Sequence, residues 1–339
     1  MALDIVTWWT GPIPTKSMRH NFFKDYIVHP LLRHNARSYL KQLKFLGCQV
    51  IGITGSFGKT STKDALFAIL SQVAPTVRTK ENIDPVYNIP TTILKTPPWT
   101  KYLILEMGIE YPGEMNFYLW LAPVDIAVIT GIGLTHTEHL TNTETIYSEK
   151  SQITQHAKDV VDYSKKSPSL TSHLEIAAQV AQLLHISQAD IQVGLANFIP
   201  PPHRMQRIDH PSGAIIIDDT YNANPTAVKL AIAALVDVSQ REKKTPVFVL
   251  GQMNELGTFE TSAHQEIGRL VAKSSVKHLL CIGPATQETI RSAKIGTYYN
   301  SQPTLLKGLQ PFLKPQFAIL IKGSRSWHLE NLVEKLLHA

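Results

Sequence analysis

Short apolar runs bounded by glycine and polar turns alternate with stretches of helical period over most of the chain. Val50, Ile51 and Ile53 open the series as a buried strand, followed by a helix from about Thr60 that carries Ala65, Leu66, Ala68, Ile69 and Leu70 at helical spacing. Thr76-Val77-Arg78-Thr79 follows, then a polar loop from Lys80 to Tyr87, and then two apolar runs, Tyr102 to Gly108 and Asp125 to Thr130. A helix from about Thr143 to Ala157, a polar connection and an alanine-rich helix over 172–185 complete this part. Ile199-Pro200-Pro201-Pro202 is stiff and extended, a natural linker. Beyond it the alternation restarts with strands at 213–218, 246–251, 277–282 and 317–322, and helices at 226–238, 262–273, 303–313 and 326–337. Strands that alternate with helices in this way predict parallel sheets covered by helices, an α/β protein. Three segments are expected: an N-terminal arm over 1–47, a central domain over 48–199 and a C-terminal domain over 200–339.

The arm is the least legible part. Trp8, Trp9, Phe22, Phe23, Tyr26 and Ile27 are interleaved with Lys16, Arg19, His20, Lys24 and Arg33. Arg33 to Phe45 reads as a basic helix with Ala36, Tyr39, Leu40, Leu43 and Phe45 partly on one face. Packing on the following domain is favoured, because the apolar residues need burial; contact with a membrane surface or a protein partner through 1–47 is the alternative.

Composition narrows the class. With 339 residues, 43% hydrophobic and 18% charged, the chain is long enough for about two domains, each with a sizeable core. No apolar run reaches the eighteen or so residues of a membrane span, and Asp4 interrupts the brief apolar start, so no signal-peptide layout is present. Cys48 and Cys281 stand far apart among apolar residues, as reduced core residues would. A cytoplasmic protein is expected. The net charge of +6 is modest and dispersed; it suits contact with anionic phosphates, and no RRM, KH or zinc-finger pattern suggests nucleic acid.

Candidate chemistry starts at the first strand-to-helix junction. A strand, a glycine-spaced loop with a lysine, and a helix are the context of a phosphate-binding loop. Gly55 and Gly58 let the backbone approach phosphate, whose charge rests on amide N–H groups at the helix N-terminus, including those of Ser56 and Ser61. Lys59 can reach the outer phosphates and the Thr60 hydroxyl is placed to ligate Mg²⁺. Ile53 stands where the strict GxxxxGK[ST] pattern has its first glycine; an ordinary turn with a surface lysine is the bland alternative. The central domain is thus P-loop NTPase-like, with a Rossmann-like α/β domain after it. Ligands of open parallel sheets bind beyond the carboxyl ends of the strands, where Thr60, Glu106 and His136 are expected to emerge. Glu106 closes an apolar strand and suits a metal ligand, or else a salt-bridged strand end. His136 is a ligand or a structural histidine, and Glu138 and His139 are read as supporting or surface groups. In the second domain Asp219, after a strand, could hold a ribose hydroxyl, or the turn it opens could simply cap the next helix. Arg204 sits just past the proline linker.

These pieces, in this order, resemble the Mur ligases, most closely the MurF type, over about 50–339. The resemblance rests on ITGSFGKTSTK at 53–63, LEMG at 105–108 with PGE at 112–114, ITGIGLTH at 129–136 and RMQ at 204–206. DDTYNANP at 218–225, LGQMNELG at 250–257 with His264, and KGSR at 322–325 complete it. It implies an ATP-dependent ligase that forms an amide through an acyl phosphate in peptidoglycan precursor synthesis, with ATP and Mg²⁺. Gly55, Ser56, Gly58, Lys59, Thr60 and Ser61 would hold the phosphates, with Thr60 and Glu106 on one Mg²⁺. His136 would ligate a second, helped by Lys150 as a carbamylated lysine; an ordinary helix lysine is the alternative. Asn82 matches a loop residue near substrate and phosphates. Arg204 and Asp219 match ATP contacts, and Tyr221, Asn222, Asn224, Lys322 and Arg325 would face the incoming amino substrate. The implied partners are small molecules: a muramyl peptide or related carboxylate, and D-alanyl-D-alanine or a related amine. Domain closure would keep water from the acyl phosphate.

Three departures bear on this. Only 47 or so residues stand where the family carries a UDP-sugar domain, 150–173 is too short for the family's additional strands, and the adenine-recognising His-Asn-x-x-Asn reads His173-Leu174-Glu175-Ile176-Ala177. A nucleotide-binding relative with another acceptor or a scaffold role is therefore the competing expectation, and a simple P-loop NTPase a third.

Overall fold

The computed structural model describes residues 27–80, 83–135 and 137–338, and their elements fall into two compact units. The first comprises the chain up to Ile132 with Asn142–Ser167 and Thr171–Ile199; the second comprises Gly133–Thr141, Pro168–Leu170 and the chain from Pro200 onward.

The first unit opens with α1 (His29–Phe45), which leads into β1 (Gln49–Thr54), α2 (Lys59–Val73), β2 (Thr76–Arg78), α3 (Pro85–Lys95), β3 (Tyr102–Glu106), α4 (Glu114–Leu121) and β4 (Ile126–Ile129). After the second unit's short excursion come α5 (Thr143–Ser151), β5 (Asp159–Asp162), α6 (Ser172–Leu183) and α7 (Gln188–Ala196). The five strands form a wholly parallel sheet in the order β2-β3-β1-β4-β5. Period-two alternation decides which side chains face which layer. Ile51, Ile53, Ile104, Ile126 and Val128 turn to one face, packing with Leu66, Ile69 and Leu70 of α2 and Ile176, Ala177, Val180 and Ala181 of α6. On the other face Gly52 leaves room for Val124, Ile153 and Met107.

Several boundaries differ from the sequence reading for local reasons. The helix expected to run to Ala157 ends at Ser151 and tightens into a 3-10 turn. The polar connection after it contains β5, an edge strand that buries only Val161 and so shows no apolar run. The loop read as ending at Tyr87 gives way to α3 at Pro85, where Asp84 caps the helix by accepting from the Val86 amide at 3.0 Å and proline takes the first turn. On α1, Ala36, Leu40 and Leu43 are buried as the pattern asks, whereas Phe45 is 91% exposed. The arm's Trp8, Trp9, Lys16, Arg19, His20, Phe22, Phe23, Lys24 and Tyr26 lie outside the described residues.

The second unit contains β6 (Gln206–Asp209), β7 (Ile215–Asp219), α8 (Pro225–Arg241), β8 (Thr245–Gly251), α9 (Glu260–Lys273), β9 (His278–Ile282), α10 (Thr286–Ala293), β10 (Thr297–Tyr299), α11 (Gln302–Leu309), β11 (Phe317–Lys322) and α12 (Glu330–Leu337). The sheet order is β10-β9-β8-β11-β7-β6, parallel except for β6, which runs antiparallel to β7. Here too alternation splits each strand. Ile215, Ile217, Phe248, Leu250 and Leu320 pack with Val228, Leu235 and Ile267 of α8 and α9. Ile216, Val247, Val249, Ile319 and Ile321 pack with Leu305, Leu332 and Leu336 of α11 and α12. Cys48 and Cys281 are free and buried. No described helix is long and apolar enough to cross a membrane.

Candidate functional site

The loop after β1 takes its shape from its glycines. Gly55 has φ +148°, and a Cβ there would lie 2.1 Å from Thr130 Oγ1; Gly58 has φ +77°, and a Cβ there would meet Thr130 Cβ only at an ordinary 3.8 Å. The Ser56 amide donates to the Gly131 carbonyl at 2.8 Å, and the Thr130 hydroxyl donates to the Phe57 carbonyl, so the loop is tied to the chain leaving β4. α2 starts immediately after Gly58, with Thr60 buried and Ser61 half-buried in its first turn. Free amides at a helix start favour an anion there. Lys59 extends back along the loop, its ammonium donating to the Gly55 carbonyl at 2.8 Å and its Cε near Gly108.

Because β1 and β3 are neighbours in register, with Ile53 opposite Glu106, the glutamate is delivered beside the loop. The Thr60 hydroxyl donates to Glu106 Oε1 at 3.0 Å, and the Glu106 amide donates to Thr79 Oγ1 at 3.0 Å. A hydroxyl and a carboxylate oxygen that close together, next to a phosphate-binding turn, are the hard oxygen donors that Mg²⁺ takes when it also carries phosphate and water. The donor set therefore fits that ion.

Lys150, on α5, is 1% exposed. Burial pushes its ammonium well below the usual lysine range; Lys59 adds to this, while Glu114, Glu110 and Glu149 oppose it. Glu114 is itself buried. It accepts from the Glu110 amide at 2.8 Å, the Tyr111 amide at 3.2 Å and the Tyr118 hydroxyl, and desolvation lifts its carboxyl to about 7. The PGE turn is thereby fixed from inside. Asn82 and His136 lie outside the described residues. Asn88 holds the start of the loop that contains Asn82, donating to the Lys80 carbonyl at 2.7 Å. The segment 133–141 around His136 groups with the second unit. Within that unit the Thr137 amide donates to the Glu255 carbonyl at 3.0 Å.

In the second unit β7, β11 and β8 lie side by side, so the turns that follow them converge. Asp219 and Lys322 are register partners, and their side chains meet at 2.5 Å. Lys322 also donates to the Asn222 carbonyl at 2.9 Å, and Asp219 accepts from the Met205 amide at 3.2 Å. Desolvation raises the Asp219 carboxyl, against the pull of Lys322, Met205 and Arg204. Arg204 lies over the Tyr221 ring at 3.7 Å and Arg325 at 5.0 Å from its centre. The Asn222 side chain accepts from the Ala223 amide at 2.9 Å, and Asn224 caps α8 by accepting from the Ala227 amide at 2.9 Å. The turn does cap the next helix, through Asn224. His264 is fully buried under the β8 turn: Nε2 accepts from the Met253 amide at 3.2 Å while Nδ1 faces Thr289 Oγ1 at 3.0 Å. Burial lowers it to about 4, so it is the neutral imidazole that fixes the turn.

Sequence reasoning missed Lys63, Asp64, Arg78, Thr79 and Asn88. A signal existed for the first two: they fall three and four positions after Thr60, on the helix face that must turn inward.

Residues 53–183 match the Mur ligase middle domain, and residues 203–325 match the domain described as Mur ligase, glutamate ligase domain. A UDP-N-acetylmuramoyl-tripeptide--D-alanyl-D-alanine ligase of Bacillus subtilis is 27% identical, covering 98% of this chain and 84% of the relative. The enzyme of that name from Escherichia coli is 23% identical over 85% of this chain and 76% of its own. The Bacillus alignment spans 390 positions, more than the 339 residues here, so the chain omits stretches the relative has. Among solved structures, MurF from Acinetobacter baumannii superposes with a TM-score of 0.82 at 24% identity, covering 93% of this chain and 81% of that one. MurF from Thermotoga maritima in complex with ADP gives 0.81 at 23% identity, covering 97% and 87%.

Proposed function

The chain belongs to the Mur ligase family, and from that premise we propose that it is an ATP-dependent ligase of MurF type, joining D-alanyl-D-alanine to a muramyl peptide in peptidoglycan precursor synthesis. The observation that carries the reading is the Thr60–Glu106 pair at 3.0 Å beside a glycine loop, in a unit that also buries Lys150. We assign the ATP-binding domain to residues 48–199 and a C-terminal domain, which adds ATP contacts and faces the amine, to residues 200–339.

Gly55, Gly58 and Ser61 cradle the phosphates through backbone amides, Ser56 shapes the loop with its own amide donated to the Gly131 carbonyl, and Lys59 swings from the Gly55 carbonyl to the outer phosphate. Thr60 and Glu106 would hold one Mg²⁺, and His136 with Lys150 a second; bound there, such ions would supply positive charge to offset that building on the transferred phosphoryl group. An acceptor carboxylate oxygen bonds to the γ-phosphorus as ADP leaves, giving the acyl phosphate. The amine nitrogen of the dipeptide then attacks the acyl carbon, phosphate leaves and the nitrogen loses a proton. Burial favours the neutral amine of Lys150, the form that adds carbon dioxide to become a carbamate with loss of a proton. Asn82, Arg204 and Asp219 complete nucleotide binding, while Tyr221, Asn222, Asn224, Lys322 and Arg325 orient the amine.

The test is phosphate release with UDP-muramyl-tripeptide and D-alanyl-D-alanine, with product mass as the second readout. Release is expected only when both substrates are present, and none from Lys59→Ala. Full release from ATP alone would mark a simple NTPase; tight ATP binding without release for any substrate pair would mark a scaffold.

A further inference from the structure

Behind Glu106 runs a line of alternating charges inside the first unit. Lys63 Nζ lies 3.3 Å from Glu106 Oε2 and 3.6 Å from Asp64 Oδ1, and Asp64 Oδ1 lies 2.8 Å from Arg78 Nη1. Lys63 is fully buried and Asp64 nearly so, whereas Arg78 reaches the surface, its guanidinium carbon 4.2 Å from the centre of the Phe67 ring. Thr60, Lys63, Asp64 and Phe67 share one side of α2 by helical spacing, and Arg78 ends the neighbouring strand β2.

Ion pairs this deep contribute little net stability, because desolvation offsets their attraction. What they do fix is direction. Glu106 has two oxygens with separate duties: Oε2 faces Lys63 and Oε1 accepts from Thr60. We propose that Lys63 is a positioning residue for the metal site, with Asp64 and Arg78 holding Lys63 in turn. With Oε2 engaged by the ammonium, Oε1 is presented beside the Thr60 hydroxyl, and one cation can take both oxygens. The proposal rests on the reading that Thr60 and Glu106 hold Mg²⁺. Groups behind a ligating carboxylate commonly change metal affinity by about 10–100-fold when removed.

The experiment titrates the full chain with Mn²⁺ in the presence of ADP, following free Mn²⁺ by electron paramagnetic resonance, with a thermal melt of each variant alongside. Lys63→Met is expected to weaken Mn²⁺ binding by about 10–100-fold. Arg78→Met should weaken it by a smaller factor, and metal-free ADP affinity should be unchanged in both. Unchanged or tighter Mn²⁺ binding in folded Lys63→Met overturns the proposal, tighter binding meaning that the ammonium competes with the cation. If Lys63→Met does not fold, Arg78→Met decides: a melting shift without a change in Mn²⁺ affinity overturns it. Glu106→Gln separates the two readings. Wild-type Mn²⁺ binding in Glu106→Gln sinks the metal site itself, whereas loss there with full binding in Lys63→Met sinks only the role of Lys63.

Discussion

Lys322 closes β11 directly opposite Asp219, which closes β7, and the two side chains meet at 2.5 Å with almost no access to water. The pair joins the DDTYNANP turn to the KGSR turn, two segments a hundred residues apart in sequence. Removing one partner leaves an uncompensated buried charge. Lys322→Met is therefore expected to lose about 3–5 kcal/mol in urea unfolding, and adding Asp219→Asn should recover part of it. Equal losses in the single and double variants would show that the pair is not the cause.

The phosphate loop makes a sharper comparison, because its two glycines are required for different reasons. At Gly58 the positive φ is the only obstacle, whereas at Gly55 a methyl group would also strike Thr130 Oγ1. Gly58→Ala should cost about 1–2 kcal/mol of backbone strain, and Gly55→Ala should exceed it by about 1–3 kcal/mol of overpacking. Calorimetric melts with and without ATP check this; equal losses would mean the Thr130 contact yields freely.

These comparisons also indicate what was legible in the sequence. The strand-loop-helix around Lys59 announces itself, since glycines, lysine and apolar runs are all local. So do the two sheets, whose strands are apolar on both faces. The edge strands β5, β6 and β10 were not legible, because their burial is partial and the neighbouring strand, not their own composition, makes them strands. Helices α3, α4, α7 and α10 escaped for a related reason: short apolar stretches broken by polar residues show too few turns to fix a period. At the site, Thr60, Glu106 and Lys322 were found through motif position. Lys63 and Asp64 were not, because a charge on a helix reads as solvated until its partners on other elements, Glu106 and Arg78, are known.

Tyr221 carries the next expectation. Arg204 and Arg325 both stand at cation–π distance from its ring, so it helps to orient two guanidinium groups. Tyr221→Ala should raise KM for the amine by about tenfold, the scale of a partly desolvated cation–π contact, while Tyr221→Phe retains the ring and should stay near wild type. An unchanged KM in Tyr221→Ala would remove the ring from substrate binding.

Two buried groups make stability depend on pH in opposite directions. Burial lowers His264 to about 4 in the folded chain, from its ordinary 6.5, so the unfolded chain binds the extra proton between these values and stability falls as pH drops from 6.5 towards 4. Burial lifts Glu114 to about 7, from its ordinary 4.5, so the folded chain holds the extra proton and stability falls as pH rises from 4.5 towards 7. Each effect is worth about 3 kcal/mol at most. They oppose one another over the shared window, so the wild-type profile should be nearly flat there. Glu114→Gln should unmask the histidine and give stability that climbs between pH 4.5 and 6.5, while His264→Gln should give stability that declines over the same interval. Urea midpoints at half-unit pH steps test both slopes, and parallel profiles for the two variants would refute the assignment of either group.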